Sequence, residues 1–185
     1  VIDFGGVANV GAIKLVKTNT GYLSVAEVQA FGFFFGDSDS IQPGGLPIGT
    51  VLPKPSMPIL LKPNGASQSG DEYAATGMGL ANSGIDGNTD GDWNGGSVTH
   101  TTLATQETPA WWKMTFPSAA TVSKVKIFNR VDCCMARLNG VFVQLISVDG
   151  SKVLKQITIP SSNLEVAVID FGGVANVGAI KLVKT

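Results

Sequence analysis

Charge is scarce in this sequence. Only 15% of the 185 residues are Asp, Glu, Lys or Arg, and they sum to −1 at pH 7. So near-neutral a balance leaves no electrostatic footprint for nucleic acid or an anionic membrane surface. No apolar run approaches the roughly 18 residues that a membrane-spanning helix needs, so membrane insertion is not expected. Amphipathic helical periodicity is missing, as are Asn-x-Ser/Thr sequons. With one histidine, two cysteines, no zinc-ligand spacing and no G-x-S-x-G turn, neither a zinc site nor a hydrolase elbow is indicated. The chain also lacks an initiating Met and a signal peptide, which points to a processed chain or a window of a longer one.

Apolar residues and glycine, by contrast, are plentiful: 44% of the chain is hydrophobic and 23 residues are Gly. The apolar residues fall in short alternating runs between Gly/Pro/Ser turns, the pattern of an all-β sandwich or jelly roll. Alternation predicts strands at 59–61, 111–116, 121–128, 140–147, 153–159, 165–170 and 179–184. It also predicts strands at 12–17 and 23–32, with 64–79 read as loop. Four phenylalanines, Phe31, Phe33, Phe34 and Phe35, form a patch that reads as core or sheet-edge cover, or as an inter-domain contact. Paired aromatics at a strand start pack inward, so Trp111 and Trp112 are expected in the core.

One stretch is repeated. Residues 1–18, VIDFGGVANVGAIKLVKT, recur unchanged as residues 168–185. Chance does not produce such a run. It reads as one period of a tandem array plus an overlap, or as a circular permutation with duplicated flanks. On the array reading, residues 1–35 are the closing strands of a preceding or the same domain. Residues 36–57, with prolines at 43, 47, 53 and 55, are then a semi-rigid linker. Residues 58–185 form the main domain without a last strand of its own. That strand has three possible sources: a neighbouring repeat, an identical chain, or residues 22–32 of the same chain.

The richest chemistry lies between two predicted strands, at Asn129-Arg130-Val131-Asp132-Cys133-Cys134-Met135-Ala136-Arg137. A guanidinium is a planar fork of donors, and an aspartate between two arginines can hold and aim both. Neighbouring Cα atoms are about 3.8 Å apart, below the usual disulfide range of roughly 4.4–6.8 Å. Cys133 and Cys134 are therefore either two structural thiols or a small strained ring exposed as an apolar plate. A bridge would favour an oxidising, extracellular or cell-surface setting. Upstream, Asp86-Gly87-Asn88-Thr89-Asp90-Gly91 fits the first half of an EF-hand loop, but the twelfth position is Ser97 and no helices flank it. An EF-hand is rejected; a hard-cation site and a metal-free Asx-rich turn both remain.

Arg130-x-Asp132-x-x-x-x-Arg137 with its vicinal cysteines resembles the sugar-binding signature of the F-type lectins (fucolectins), within the discoidin, or coagulation-factor C-domain, group. Ser83-Gly84-Ile85-Asp86-Gly87-Asn88, Gly96-Ser97-Val98-Thr99-His100-Thr101, Trp111-Trp112 and Tyr22-Leu23-Ser24-Val25-Ala26-Glu27-Val28 resemble further motifs of that family. The resemblance implies a discoidin-like jelly-roll β-sandwich that binds fucose-type glycans without catalysis. It places Arg130, Arg137 and His100 on the sugar's polar groups, with Asp132 aiming the arginines. Trp93 and the Cys133–Cys134 plate would cover the sugar's apolar face. It implies a structural calcium ion held by Asp86, by oxygens of Ser83, Asn88 and Ser97, and by the Ala26 carbonyl and Glu27 carboxylate. One departure is the loop 101–110, longer than the family's. The competing reading is a structural repeat unit of an extracellular fibre, assembled by strand donation between units.

Overall fold

A computed structural model describes residues 21–34, 57–105 and 108–184. Two long strands carry the architecture, β4 (Ala110–Asn129) and β7 (Val166–Lys184). They pair antiparallel along nearly their whole length, from Ala110 opposite Lys184 to Phe128 opposite Val166. The sequence pattern had each as two strands, and the structure corrects this to one bent strand apiece. The bend is local. The ladder slips between Thr115 and Ala120 and again up to Lys124, around Pro117, which has no N–H to give. Across the ladder, Gly172 and Gly173 turn β7 with φ of 71° and 87°, where a Cβ would be strained. A strand that turns such a corner serves both faces of a sandwich.

The other strands hang on these two. β1 (Val25–Phe34) lies antiparallel to the second half of β4, and β2 (Ile59–Leu61) covers its outer edge. β3 (Gly65–Gln68) pairs with the first half of β4, inside the region expected to be loop. β5 (Phe142–Ser147) pairs with the last part of β7, and β6 (Val153–Thr158) closes the far edge. The order is β2-β1-β4-β7-β5-β6 in an all-β fold, with short 3₁₀ turns as the only helical elements among the described residues. This is the jelly-roll sandwich expected. In this structure the closing strand comes from the N-terminal side of the same chain. Residues 12–17 and 36–56 lie outside the described residues.

Inward positions of every long strand meet in one core. Val122, Val125, Ile127, Val143, Leu145, Ile180 and Leu182 are fully buried. Each such side chain stabilises the fold by about 1.5–3 kcal/mol relative to leaving it exposed. The paired tryptophans do not both enter. Trp112 is fully buried and donates its indole N–H to the Ala81 carbonyl at 2.9 Å. Trp111 is half-exposed on the outer face, beneath the ammonium groups of Lys181 (5.0 Å) and Lys113 (6.0 Å). Adjacent strand residues point to opposite faces, so only one could be core. In the phenylalanine patch, Phe34 packs edge-on against Phe116 while Phe31 lies under Lys126.

Candidate functional site

Three segments converge at one end of the sandwich: the start of β1, the loop 71–100, and the β4–β5 connection. A ladder of side-chain hydrogen bonds shapes the middle one. Asp86 accepts from the Asn88 N–H, Asn88 from Asp90, Asp90 from Asp92, and Asp92 from Asn94, at 2.8–3.0 Å. These are successive Asx turns, which is why the loop alternates Asp or Asn with other residues. Gly91 lets it reach the β4 end: its carbonyl accepts from Val131 N–H at 2.9 Å, and a Cβ there would strike the Asn129 carbonyl. Asp92 caps the short turn Trp93–Gly95 and so fixes Trp93.

Asp132 grips Arg130 with both oxygens, from Nε and Nη2 at 2.7 Å each, and also accepts from the Trp93 backbone N–H at 3.2 Å. The hydrogen bonds from Arg130 hold the Asp132 carboxyl below its ordinary range. The guanidinium lies over the Trp93 ring at 4.7 Å. Arg137 gives Nη1 to Ser24 Oγ (3.3 Å) and to His100 Nε2 (3.1 Å), over the ring of Tyr22 at 4.9 Å. His100 Nδ1 faces the Thr101 carbonyl at 3.0 Å, which can only accept. Nδ1 therefore carries the proton and Nε2 is the acceptor for Arg137. Burial first, and then the charges of Arg137 and Arg130, push the imidazole below its usual value.

His100 is only 3% exposed, ringed by Tyr22 (4.7 Å), Tyr73 (5.0 Å) and Trp93 (5.6 Å). Cys133 and Cys134 form a disulfide on the connection between the two arginines, with Cys134 exposed at φ 63°. Of the residues expected at a sugar site, the structure joins Trp93, His100, Arg130, Asp132 and Arg137 in one set of contacts, with Cys133 and Cys134 on the chain between Asp132 and Arg137. Nη1 of Arg130 and Nε and Nη2 of Arg137 have no hydrogen-bond partner among the described residues. They are donors available to a ligand. Tyr22 and Tyr73 belong to the same cluster and were missed. Tyr22 was legible, since it stands just ahead of β1, two residues before Ser24, and both meet the Arg137 guanidinium. Tyr73, on a 3₁₀ turn, had no sequence signal.

A second cluster lies below the first. Ser97 Oγ is 2.7 and 2.9 Å from the two Asp86 carboxylate oxygens, 3.4 Å from the Asn88 carbonyl and 3.5 Å from the Ser83 carbonyl. One hydroxyl proton cannot serve four acceptors, so the cluster carries surplus lone pairs. Glu27, buried at 5% exposure, accepts from the Gly87 N–H at 3.3 Å. Burial, with Asp86's charge adding to it, raises its carboxyl to about 7. Ala26 is the extra residue of a β-bulge between Val25 and Glu27. No group of three or more His, Cys, Asp or Glu gathers among the described residues, so any ligand set here is mostly hydroxyl and carbonyl. Such oxygen-rich sets suit a hard cation.

The sequence pattern of the NedA-like, galactose-binding domain family matches residues 83–182, more than half of the chain. The chain belongs to that family. Within it, this domain is a discoidin-type domain of the F-type lectin group. It is similar to Fucolectin-4 of Anguilla japonica, 37% identical over 75 residues, 40% of this chain and 38% of that protein. The match thus spans under half of that curated relative's length. Among solved structures it is similar to a Streptococcus pneumoniae fucose binding module, with 29% identity and a TM-score of 0.58 over 65% of this chain and 79% of that one. The lectin domain of lectinolysin complexed with Lewis B antigen is similar too: 31% identity and TM-score 0.58, covering 65% and 82% of the two chains. No helix of the discoidin-type domain, among the described residues, is long and apolar enough to cross a membrane.

Proposed function

We propose that this domain recognises fucose-type glycans without catalysis, through the Arg130–Asp132–Arg137–His100 cluster. The observation that carries this is the pair of held guanidiniums, each with spare N–H donors, around an aromatic and disulfide surface. A sugar presents vicinal hydroxyls and a ring oxygen on one side and C–H groups or a methyl on the other. The arginine donors address the first, and Trp93 with the Cys133–Cys134 plate covers the second. Each charged hydrogen bond contributes about 1.5–3 kcal/mol, partly offset by desolvation and association costs, so one site binds weakly. Repetition of the unit would raise avidity, with neighbouring repeats or identical chains as partners. The disulfide fits an extracellular or cell-surface setting.

Calcium fits the second cluster. Asp86, Ser97, Ser83, Asn88, Ala26 and Glu27 would hold it, and it would supply the positive charge that the surplus oxygens call for. The test is an L-fucose titration by calorimetry, with and without a chelator, beside Arg130→Ala. Saturable binding that the variant loses is expected. No binding up to tens of millimolar by folded protein would end the fucose reading.

A further inference from the structure

The outer face of the sheet carries a set of residues that takes no part in the Arg130 cluster. Register across five strands arranges them in rows. Ser67 of β3 stands opposite Lys113 of β4, Lys113 opposite Lys181 of β7, Lys181 opposite Gln144 of β5, and Gln144 opposite Gln156 of β6. Residues directly opposite one another share a face, so this row presents a hydroxyl, two ammonium groups and two amides side by side. The row faces outward, because Trp112, Met114, Ile180, Leu182, Val143 and Leu145, which flank it along the strands, all fill the core. Trp111 and Phe142 lie in the next row, and Thr115 and Ile146 in the row on the other side. None of the residues that register places in these rows is acidic.

The two lysines are the anomaly. Like charges directly opposite each other on a ladder repel, and neither Lys113 nor Lys181 forms an ion pair among the described residues. Both ammonium groups stand instead over one half-exposed ring, that of Trp111, with Lys181 Nζ 5.0 Å and Lys113 Nζ 6.0 Å from its centre. Burial first, and then the charge of Lys113, push the Lys181 ammonium below its usual value. Further along the row, Gln144 Nε2 donates to Gln156 Oε1 at 2.7 Å, which fixes both amides. Two cations are thus held side by side, partly stripped of water, between an aromatic plate and a fixed amide pair. In a chain whose charges sum to −1, this is a local positive excess that its own rows leave unbalanced.

We propose that this face is a second binding site, for a saccharide that carries a sulfate or a carboxylate. The anionic group accepts hydrogen bonds from Lys113 and Lys181 together and removes the repulsion between them. The sugar ring lays its C–H face on Trp111, and Ser67 and Gln144 at the two ends of the lysine pair meet its hydroxyls. A bare anion would use only the lysines. The exposed indole and the flanking hydroxyl and amide are what fit a saccharide in particular. The site is separate from the Arg130 cluster and does not rest on the fucose reading: Trp111 faces outward where Trp112, beside it, faces the core.

The experiment titrates a sulfated heparin disaccharide by calorimetry into the parent, Lys113→Gln, Lys181→Gln, the double lysine variant and Trp111→Leu. The same disaccharide without sulfate, inorganic sulfate and an oligoglutamate peptide are the comparison ligands. Saturable binding of the sulfated disaccharide to the parent is expected. Loss of either ammonium should weaken it by about tenfold or more, the equivalent of one charged hydrogen bond. Trp111→Leu should weaken the disaccharide and leave inorganic sulfate unaffected. L-fucose binding should be the same in all five proteins, and the lysine variants should melt no lower than the parent, since each relieves a repulsion. No binding of the sulfated disaccharide up to tens of millimolar, or binding that the double lysine variant retains in full, overturns the proposal. Inorganic sulfate or oligoglutamate bound as tightly as the disaccharide overturns the assignment to a saccharide.

Discussion

Arg137 donates to the unprotonated nitrogen of His100 across 3.1 Å, while the other ring nitrogen is held by the Thr101 carbonyl. A fixed positive charge therefore faces an imidazole that works only when neutral. Protonation would set two cations against each other over the rings of Tyr22 and Tyr73.

The pH dependence follows. Burial, with Arg137 and Arg130, keeps the His100 proton equilibrium below its usual value, so the unfolded chain protonates first. The stability from this group is present above about pH 6.5 and lost as pH falls through the folded value. The difference in urea midpoint between the parent and His100→Gln, measured from pH 7.5 to 5, should shrink on the acid side, a comparison in which the opposite contribution of Glu27 cancels. Sugar affinity should weaken over the same range, by at most about tenfold per pH unit.

Glu27 acts in the opposite direction. Its carboxyl is raised from 4.5 to about 7, so the proton favours the fold. That contribution is complete below 4.5 and is lost as pH rises through about 7. Without a cation the domain should therefore lose stability as pH rises from 4.5 through about 7, with about 1.4 kcal/mol of that loss falling between pH 6 and pH 8, or about 3–6 °C in Tm. Calcium should restore it, most strongly at pH 8. Glu27→Gln in chelator should melt higher than the parent at pH 8 and respond less to calcium. A melting curve that calcium leaves untouched at pH 8 would remove the cation from this site.

Arg130 and Asp132 separate donation from aim. Arg130→Ala should weaken fucose binding about 10- to 150-fold, the equivalent of one charged hydrogen bond. Asp132→Asn keeps the guanidinium and its Trp93 support but loosens the grip, so a smaller loss is expected. Calorimetry on both variants distinguishes them; equal losses would mean that Asp132 contributes more than orientation.

Reducing the disulfide should separate affinity from stability. A bridge between sequence neighbours closes almost no chain, so it constrains the unfolded state very little. Tm should move by no more than about 2 °C on reduction. Fucose affinity should fall, because the plate beside Arg130 and Arg137 opens into two thiols. Cys133→Ser with Cys134→Ser should behave like the reduced protein.

Local alternation made most strands legible, since Val122, Val125 and Ile127 or Val143 and Leu145 announce a half-buried sheet by themselves. Pro117 and the Gly172-Gly173 pair fall in the gaps between predicted strands, since each breaks the alternation when read in isolation. Only a partner strand that bends with them turns a break into a corner. β3 was missed because Gly65-Ala66-Ser67-Gln68 has no β-branched or aromatic residue; the free edge of β4 makes it a strand. At the site, motif spacing pointed to Arg130, Asp132, Arg137 and His100, and the fold brings them together. Tyr73 escaped because its place depends on a loop whose path is set by Gly79, Trp93 and His100, not by its neighbours in sequence.

The run of Asx turns from Asp86 to Asn94 has a mechanical consequence. One end is built from the oxygens around Ser97, and the other carries Trp93, the ring beneath Arg130. Each link is a two-residue loop closed by a bond of 3.0 Å or less, so the strap is a continuous chain of short bonds between the two ends. On the proposed calcium reading, a cation drawn to the oxygens around Ser97 would pull on the same strap that carries Trp93. Such a relation would be reciprocal: whatever factor the cation added to the sugar's affinity, the sugar would return to the cation.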